Sequence, residues 1–409
     1  MADLDAREAA TGTGDRSRPR VVLPALCATQ ITSWGVVYYA FPVLGARITA
    51  DTGWSTTATT AAFSGALLVS ALTGIPVGRI LDRRGPRAVM TTGSLVGVVA
   101  VLAIAYAPNL PVFAAAWLLA GLAMAATFYQ PAFAALTRWW GSDRVRALTI
   151  VTLAGGLAST IFAPLTATLA AHLSWRTTYA VLAVLLAVIT VPAHAIALRA
   201  PWPPAPPPRP QLPTDGGSVV RSRPFLLLAA ALTLNGFAMY AVVIALVPLL
   251  TERGADPTTA AWALGLGGAG QTLGRTLYTT LARHTGVTTR TVILIALGGA
   301  TTALLAAVPG PVPLLVILAV AAGMVRGNLT LLQATAVTDR WGANQYGRLS
   351  GLLAAPVTIA SALAPFAGAA LAVELGGYPA LFAVLAAASA LAGVLALGTV
   401  RCPGRAKAR

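Results

Sequence analysis

The ten-residue stretch GRILDRRGPR, Gly78–Arg87, separates two apolar segments, 57–77 and 88–107. It holds four arginines and one aspartate, whereas neither flanking segment contains a charged residue. An apolar run of about 20 residues is long enough for a helix to cross the hydrocarbon core of a bilayer. The stretch therefore indicates a charged connection between two membrane-spanning helices.

The composition extends this reading to the whole chain. Of its 409 residues, 57% are hydrophobic and 10% are charged, against about 25% charged residues in soluble proteins. Because only helices satisfy their own backbone across such spans in lipid, we predict an all-α membrane protein with twelve transmembrane helices. The predicted spans are 21–46, 57–77, 88–107, 111–136, 148–171, 177–198, 225–250, 259–281, 291–308, 312–337, 351–372 and 378–400.

The net charge of +16 does not indicate a nucleic-acid partner, because the basic residues lie in short connections between apolar spans. Alternate connections are Arg-rich, and the others hold only Arg47, Arg176 and Arg253. This asymmetry is the positive-inside pattern. It predicts a multi-pass protein of the cell (plasma) membrane, in contact with the lipid bilayer, with both termini cytoplasmic. We expect a monomer.

The chain repeats internally. LTRWWG at 136–141 matches VTDRWG at 337–342, and APLTATLA at 163–170 matches APFAGAAL at 364–371, both at a separation of 201 residues. A repeat that keeps its register predicts two pseudo-symmetric six-helix halves. The predicted segments are a cytoplasmic N-terminal tail (1–20), the first half (21–198), a cytoplasmic Pro-rich linker (199–224), the second half (225–400) and a cytoplasmic tail (401–409).

The charged stretch resembles the signature G-x-x-x-D-R-x-G-R of the major facilitator superfamily, except that Pro86 stands where the family usually has a basic residue. The matching residues are Gly78, Asp82, Arg83, Gly85 and Arg87. Together with twelve spans and the repeat, the resemblance covers about residues 21 to 400. It implies alternating access and a gating role for these five residues, with Asp82 near the start of the eleventh helix at Ser350–Gly351. The alternative is a solvated charged loop.

A second resemblance narrows the group. YYAFPVL at Tyr38–Leu44, followed by DTGWS at Asp51–Ser55, is similar to bacterial relatives of the oxalate:formate and monocarboxylate transporters. The resemblance implies a small organic anion as substrate.

The acidic residues support that direction. Each of the twelve Asp and Glu residues falls in a tail, a connection or a span end. Proton relays and cation sites in transporters use embedded carboxylates, so the sequence argues against a cationic substrate and against carboxylate-based proton coupling. His194 lies within a span near its cytoplasmic end, where it is either a packed residue or a proton carrier.

Arg326 lies deep in the span 312–337, too far from either end for easy snorkelling, and must face the bundle interior. Thr330 and Gln333 follow at i+4 and i+7 on the same helix face. A guanidinium suits carboxylate geometry, so Arg326 is either an anion contact or a structural residue bonded to backbone carbonyls.

Other polar residues inside spans are candidates to line the same cavity. They are Gln271 and Arg275 in the eighth span, Gln30 and Tyr38 in the first, and Asn235 and Tyr240 in the seventh. Arg275 is close enough to the membrane edge to snorkel instead, and amides and aromatics also join helices to one another in bundles.

The function predicted from these observations is secondary active or facilitative transport of a small organic anion. Efflux of uncharged or amphipathic drugs or natural products is the alternative, and a non-transporting membrane receptor is a remote one. The sequence contains no cluster of catalytic or metal-ligating residues at one depth, and Cys27 and Cys402 are not placed as a pair. We therefore expect no enzyme activity, no catalytic residues, no metal and no cofactor.

Overall fold

The computed structural model describes residues 19–202, 219–341 and 346–399. Within these ranges the regular elements are helices, and no strand is found. The predicted cytoplasmic tails fall almost entirely outside the described residues, as does most of the predicted linker.

The chain forms sixteen described α-helices, two π-helical segments and one short 3₁₀ turn. In order they are α1 (Val22–Trp34), a π segment (Gly35–Tyr39), α2 (Ala40–Thr52), α3 (Thr56–Arg84), α4 (Pro86–Ala105), α5 (Leu110–Thr127), α6 (Tyr129–Trp140), the 3₁₀ turn (Gly141–Asp143), α7 (Arg144–Gly156), α8 (Ala158–His172), α9 (Trp175–Pro192), a second π segment (Ala193–Ala197), α10 (Arg223–Glu252), α11 (Pro257–His284), α12 (Val287–Ala307), α13 (Val312–Thr335), α14 (Thr338–Trp341), α15 (Tyr346–Glu374) and α16 (Tyr378–Leu397).

Ten helical stretches in the described part of the chain are long and apolar enough to cross a membrane. They are Thr56–Arg84, Pro86–Ala105, Leu110–Trp140, Arg146–His172, Trp175–Ala197, Arg223–Glu252, Val287–Ala307, Val312–Gln333, Leu349–Glu374 and Tyr378–Leu397. Ten of the predicted spans fall on these stretches. The other two, 21–46 and 259–281, coincide with helices as well: a run interrupted by the π segment Gly35–Tyr39, and the more polar α11.

The charged stretch at 78–87 differs from its predicted form as a loop. Helix α3 continues seven residues past the predicted span to Arg84, and α4 starts at Pro86. Gly85, at φ 77°, alone makes the turn. Glycine tolerates this left-handed backbone, and proline suits the first helical position because its missing N–H would be unpaired there. The signature is therefore a helix end with a one-residue turn.

The long helices alternate in direction, so their connections lie at two ends of the bundle. We call the end with Gly85, Gly141–Asp143 and α14 the basic end. At the opposite end, side chains cap helix starts: Ser55 Oγ accepts from Ala58 N at 3.1 Å, and Asp256 Oδ1 accepts from Thr258 N at 2.9 Å. Such caps satisfy backbone donors that a helix start leaves free.

Two arginines at the same opposite end cap helix carbonyls. Arg176 Nη1 donates to Ala105 O at 3.0 Å and to Ala107 O at 2.9 Å, at the end of α4. Arg253 donates to Val308 O, and at 2.5 Å to Ala306 O, at the end of α12. Each arginine satisfies carbonyls that have no partner within their own helix.

Two carboxylates tie the same region to later helices. Asp51 Oδ2 accepts from Trp175 Nε1 at 2.8 Å, at the start of α9. Glu252 Oε2 accepts from Tyr378 N at 3.0 Å, at the start of α16. Both acids are therefore occupied in fixing helix ends.

Helices from the two parts of the chain meet along two interfaces. Helix α3 packs against α15, and α8 packs against α11. At the first interface, Ser64 Oγ accepts from Phe366 N at 3.0 Å, which satisfies a donor next to Pro365 inside α15. These interfaces enclose the middle of the bundle, where the candidate site lies.

Candidate functional site

Helices α11 and α13 touch backbone to backbone. A methyl group on Gly323 would overlap the carbonyl oxygen of Gly267, and one on Gly327 would overlap that of Gln271. Only glycine permits such close approach. The contact fixes the residue before Gly327, Arg326, beside the segment of α11 that carries Gln271 and Arg275.

Arg326 is 8% exposed and therefore faces the bundle interior as predicted. Its guanidinium lies within electrostatic range of the hydroxyls of Tyr38, Tyr39 and Tyr240, and of Arg275. Nη2 is buried and has no hydrogen-bond partner among the described residues. A buried, unpaired donor on a cation is costly, so this atom marks a place for an acceptor.

The cavity beside Arg326 is small, about 30 Å³, which is room for a water molecule or two. Asn235 and Met239 line it from α10, Thr302 from α12 and Ser389 from α16. Asn235 Nδ2 has no hydrogen-bond partner in the described ranges. The structure thus brings Asn235 and Arg326 together as expected. A substrate needs the surrounding helices to move apart before it reaches them.

Tyr38 and Tyr39 reach this region through the π segment Gly35–Tyr39. Tyr38 is 2% exposed, and its ring centroid lies 5.1 Å from that of Tyr39 and 5.3 Å from that of Trp34. A π turn shifts side chains out of α-helical register and is frequent at functional sites. Sequence reasoning named Tyr38 but missed Tyr39, because the register shift is not visible in the apolar pattern.

Arg275 has protein partners. Its Nη1 donates to Thr152 O in α7, and its guanidinium also bonds the side chain of Tyr129. Thr152 lies one turn before the end of α7 at Gly156. Arg275 therefore links α11 to the first part of the chain and is less available to a ligand than Arg326.

Gln30 is also engaged. Its Nε2 donates to Thr127 O at 2.7 Å and to Phe128 O at 3.4 Å, at the break between α5 and α6. Its Oε1 has no partner among described residues. The amide thus joins α1 to the break between α5 and α6.

Thr330 and Gln333 share a helix face with Arg326 but line a different cavity, of about 300 Å³, towards the basic end. Leu232, Leu353 and Ala354 line it from α10 and α15. Thr330 Oγ1 donates to Arg326 O at 3.2 Å, and Gln333 Nε2 is buried without a partner in the described part. The single cavity expected for all three residues is therefore divided in this conformation.

The carboxylates of the described ranges lie at helix ends and connections, at Asp51, Asp82, Asp143, Glu252, Asp256, Asp339 and Glu374. None lines the cavity beside Arg326. The same ranges contain no group of three or more His, Cys, Asp or Glu side chains that could hold a metal ion. The two central arginines thus lie in a region without a protein anion.

His194 lies in the second π segment and is fully buried. Its Nδ1 is 2.7 Å from Ser94 Oγ in α4. The hydrogen bond holds the imidazole between helices of the first part of the chain, away from the cavity beside Arg326.

The signature residues lie at the basic end. Asp82 Oδ1 is 3.4 Å from Arg138 Nη2 in α6, and Arg87 Nε donates to Ala195 O at 2.9 Å. Arg83 is exposed. At Gly78 a methyl group would meet nothing within 4 Å, so no neighbouring helix requires glycine there in this conformation.

A third cavity, of about 440 Å³, lies towards the opposite end between α2, α3, α10 and α15. Its lining is mostly apolar, with residues such as Phe41, Ala241 and Ile244, and it includes threonines such as Thr59 and Thr60. Sequence reasoning did not find it, because its lining residues are ordinary span residues.

The sequence resembles known transporters. Monocarboxylate transporter 13 of Bos taurus is 31% identical over 210 residues, covering 49% of this chain and 47% of that protein. Monocarboxylate transporter 11 of Homo sapiens is 29% identical over 243 residues, covering 57% of this chain and 50% of that protein. The matched regions span about half the length of these relatives.

The fold agrees. A crystal structure of a mutant of the nucleoside transporter NupG superimposes with a TM-score of 0.79 at 14% identity, over 94% of this chain and 100% of that chain. At this identity the likeness shows the fold alone.

A sequence model of the Major Facilitator Superfamily matches residues 26–286 and 226–409. The chain is a multi-pass membrane protein that belongs to the Major Facilitator Superfamily.

Proposed function

We propose that the chain crosses the plasma membrane twelve times, in two six-helix halves, 21–198 and 225–400. The run Val22–Thr52 and helix α11 then supply the two crossings beyond the ten apolar stretches. Their polar residues face the bundle interior, where Arg275 and Gln30 are buried. The basic end faces the cytoplasm by the positive-inside rule, with the linker 199–224 and both tails on that side.

The substrate we propose is a small organic anion, bound between the halves and moved by alternating access. The observation that carries this proposal is Arg326, a buried guanidinium with an unpaired Nη2 and no carboxylate in its cavity. A carboxylate ligand would satisfy the donor and neutralise the charge together. The tyrosines around it offer hydroxyl donors and apolar ring faces, which suit an anion with a short carbon body.

The names of the relatives point the same way, since two of them are monocarboxylate transporters. Gln271, Arg275, Asn235, Tyr38 and Tyr240 complete the proposed site. Gln30, Thr330 and Gln333 lie further along the path that a substrate would follow.

Efflux of uncharged or amphipathic molecules remains the second candidate. The cavity of about 440 Å³ towards the opposite end favours it, because the lining is largely apolar. A substrate of that kind would not depend on the charge of Arg326.

The deciding experiment compares substrate affinity of the wild type and Arg326→Gln in detergent, with acetate, pyruvate and benzoate as probes. A charge-assisted hydrogen bond contributes roughly 1.5–3 kcal/mol, so the variant should bind the best probe roughly 10- to 100-fold more weakly. Arg290→Gln controls for lost stability, because it also removes a buried arginine but away from the cavity, and it should bind the probe with wild-type affinity. Equal affinities in wild type and Arg326→Gln would reject the anion proposal.

We further propose that Asp82 helps to hold the cytoplasmic side closed. Its position at the end of α3, beside the turn into α4, supports this role. Asp82→Asn should lower transport while the protein level in the membrane stays near that of the wild type.

A further inference from the structure

The start of the linker is attached to the signature turn. Trp202 is half-buried, and its Nε1 donates to Asp82 O at 3.2 Å. One residue earlier, Pro201 O accepts from Trp139 Nε1 at 3.0 Å. The rings of Trp139 and Trp202 meet edge to face at 5.5 Å, so two indoles fix this segment on the end of α3.

Arg138 lies between the indole and the carboxylate. Its Cζ is 4.5 Å from the ring centroid of Trp202, its Nη2 is 3.4 Å from Asp82 Oδ1, and its Nη1 is 3.3 Å from Asp82 O. A guanidinium over an aromatic face is held by the ring quadrupole. The ring thereby orients the guanidinium towards the side-chain Oδ1 and the backbone O of Asp82.

Gly85 completes the seat. A methyl group at this position would lie 3.2 Å from Trp202 Cγ, closer than ordinary contact. The turn therefore needs glycine for its φ of 77° and also for the space that the indole occupies. Leu81 and Val89 form a small apolar cluster against the same ring.

The ion pair is weak without this support. The Asp82 side chain is 64% exposed, and exposed pairs contribute little because water competes and long side chains lose freedom. The indole restricts Arg138 and also takes one of the free carbonyls at the end of α3. The geometry of Asp82 thus depends on Trp202, which belongs to a different segment.

We propose that Trp202 is a positioning residue for the gate: it holds Arg138 and Asp82 in the arrangement that keeps the cytoplasmic side closed. The proposal rests on the gating role proposed for Asp82. It makes the first residues of the linker a part of the gate, in addition to their part in joining the two halves.

The test reports opening without a substrate. In a chain with Cys27→Ser and Cys402→Ser, a Leu353→Cys reporter is placed in the cavity near the basic end, where this position is buried. Its labelling by a maleimide is timed in nanodiscs. A coupling at the lower end of those found between protein sites changes an equilibrium about fivefold. Trp202→Ala should therefore raise the labelling rate about fivefold or more, whereas Trp202→Phe, which keeps a ring face for Arg138, should stay close to wild type.

Trp262→Ala is the matched control, because Trp262 is 49% exposed near the start of α11 and lies far from the signature turn. Its labelling rate should equal that of the wild type. If Trp202→Ala does not fold, Arg138→Gln removes the cation that the indole orients and should give the same rise.

Comparing Asp82→Asn with Trp202→Ala separates the gating role of Asp82 from the positioning role of Trp202. Asp82→Asn should also raise labelling, and the double variant Trp202→Ala with Asp82→Asn should label no faster than the faster single variant. Unchanged labelling in Asp82→Asn rejects the gating role of Asp82. If Asp82→Asn opens the cavity and Trp202→Ala does not, or if the two effects multiply, the role of Trp202 is rejected.

Discussion

Positions 201 residues apart can be compared across the two parts of the chain. Asp51 and Glu252 are such a pair, and each accepts a hydrogen bond from the first residue of a later helix. Ser55 and Asp256 are another, and each caps the start of the next helix. The same structural task is thus performed in both parts with different side chains.

The arginines at the opposite end show the same relation. The carbonyls of Ala105 and Ala107 correspond to those of Ala306 and Val308, yet Arg176 supplies the cap in one case and Arg253 in the other. These arginines come from different helices, α9 and the end of α10. In both parts the carbonyls at a helix end accept hydrogen bonds from an arginine, but the arginine comes from a different helix in each part.

The middle of the bundle departs from this relation. Tyr39 and Tyr240 are 201 residues apart, and both lie near Arg326. Arg326 and Arg275, however, correspond to Ala125 and Gly74. The repeated frame is therefore matched in both parts, whereas the central cations occur only in the second. The proposed substrate site depends on these two arginines, and the repeated helix ends do not account for them.

The largest effect should appear at the basic end, where the pairs Arg290–Asp339 and Arg138–Asp82 differ in burial. Arg290 Nη2 is 2.5 Å from Asp339 Oδ2, with side chains 6% and 25% exposed, whereas the Arg138–Asp82 pair is longer and more exposed. Breaking a buried pair leaves an unpaired charge and costs about 3 kcal/mol, but an exposed pair costs about 1 kcal/mol or less.

Arg290→Gln should therefore lower the unfolding free energy much more than Arg138→Gln does. Chemical denaturation of the purified variants in the same detergent measures the difference. Equal losses would show that the pairs support the fold to the same extent.

Arg326→Lys should have the next largest effect, because it keeps the charge and removes the planar fork. An ammonium cannot make the bidentate contact. We expect the affinity for the best carboxylate probe to fall about tenfold, which corresponds to about 1.4 kcal/mol, between the wild type and Arg326→Gln. Isothermal titration measures this affinity. An affinity equal to that of the wild type would show that only the charge of Arg326 contributes to binding.

Much of this arrangement follows from the sequence. The apolar runs placed all twelve predicted spans on helices, ten of them on stretches long and apolar enough to cross a membrane. The cost of a charge in lipid predicted that Arg326 is buried. The division of Thr330 and Gln333 from Arg326 did not follow, because it depends on how α10, which lines both cavities, packs against α13. The engagement of Arg275 by Thr152 also depends on a contact between residues far apart in the chain, which helical periodicity does not encode.

A smaller effect distinguishes the two helix caps by pH. Hydrogen bonds, first that from the Thr259 side chain, hold the pKa of the Asp256 carboxyl below its ordinary value. Its cap therefore stabilises the fold above the unfolded-state pKa, and this contribution is lost as the pH falls through the folded-state pKa. Ser55 has no such titration, and its removal costs about 1 kcal/mol.

Asp256→Ala should thus lower the free energy of unfolding at neutral pH and have no effect on it in acid. Ser55→Ala should lower it by the same amount at both pH values. Thermal unfolding against pH, compared with the wild type, measures both variants. A loss at Asp256 that does not change with pH would mean that backbone effects outweigh the cap.

The smallest expected effect is none. Because the carboxylates of the chain lie in tails, connections and helix ends, we predict that anion movement proceeds by exchange or uniport. Uptake of the best carboxylate probe into proteoliposomes should be the same with and without a pH gradient, after correction for the protonated probe. Stoichiometric proton movement would overturn this and direct attention to His194.

The glycine contact between α11 and α13 has a consequence for measuring motion. Two backbones that touch at Gly323 and Gly327 cannot slide past each other without a clash, so these helices should travel as a single body. Spin labels on their lipid-facing sides should report one unchanging distance throughout the transport cycle. That distance supplies an internal length standard against which the displacement of α8 relative to α11 can be read in the same sample.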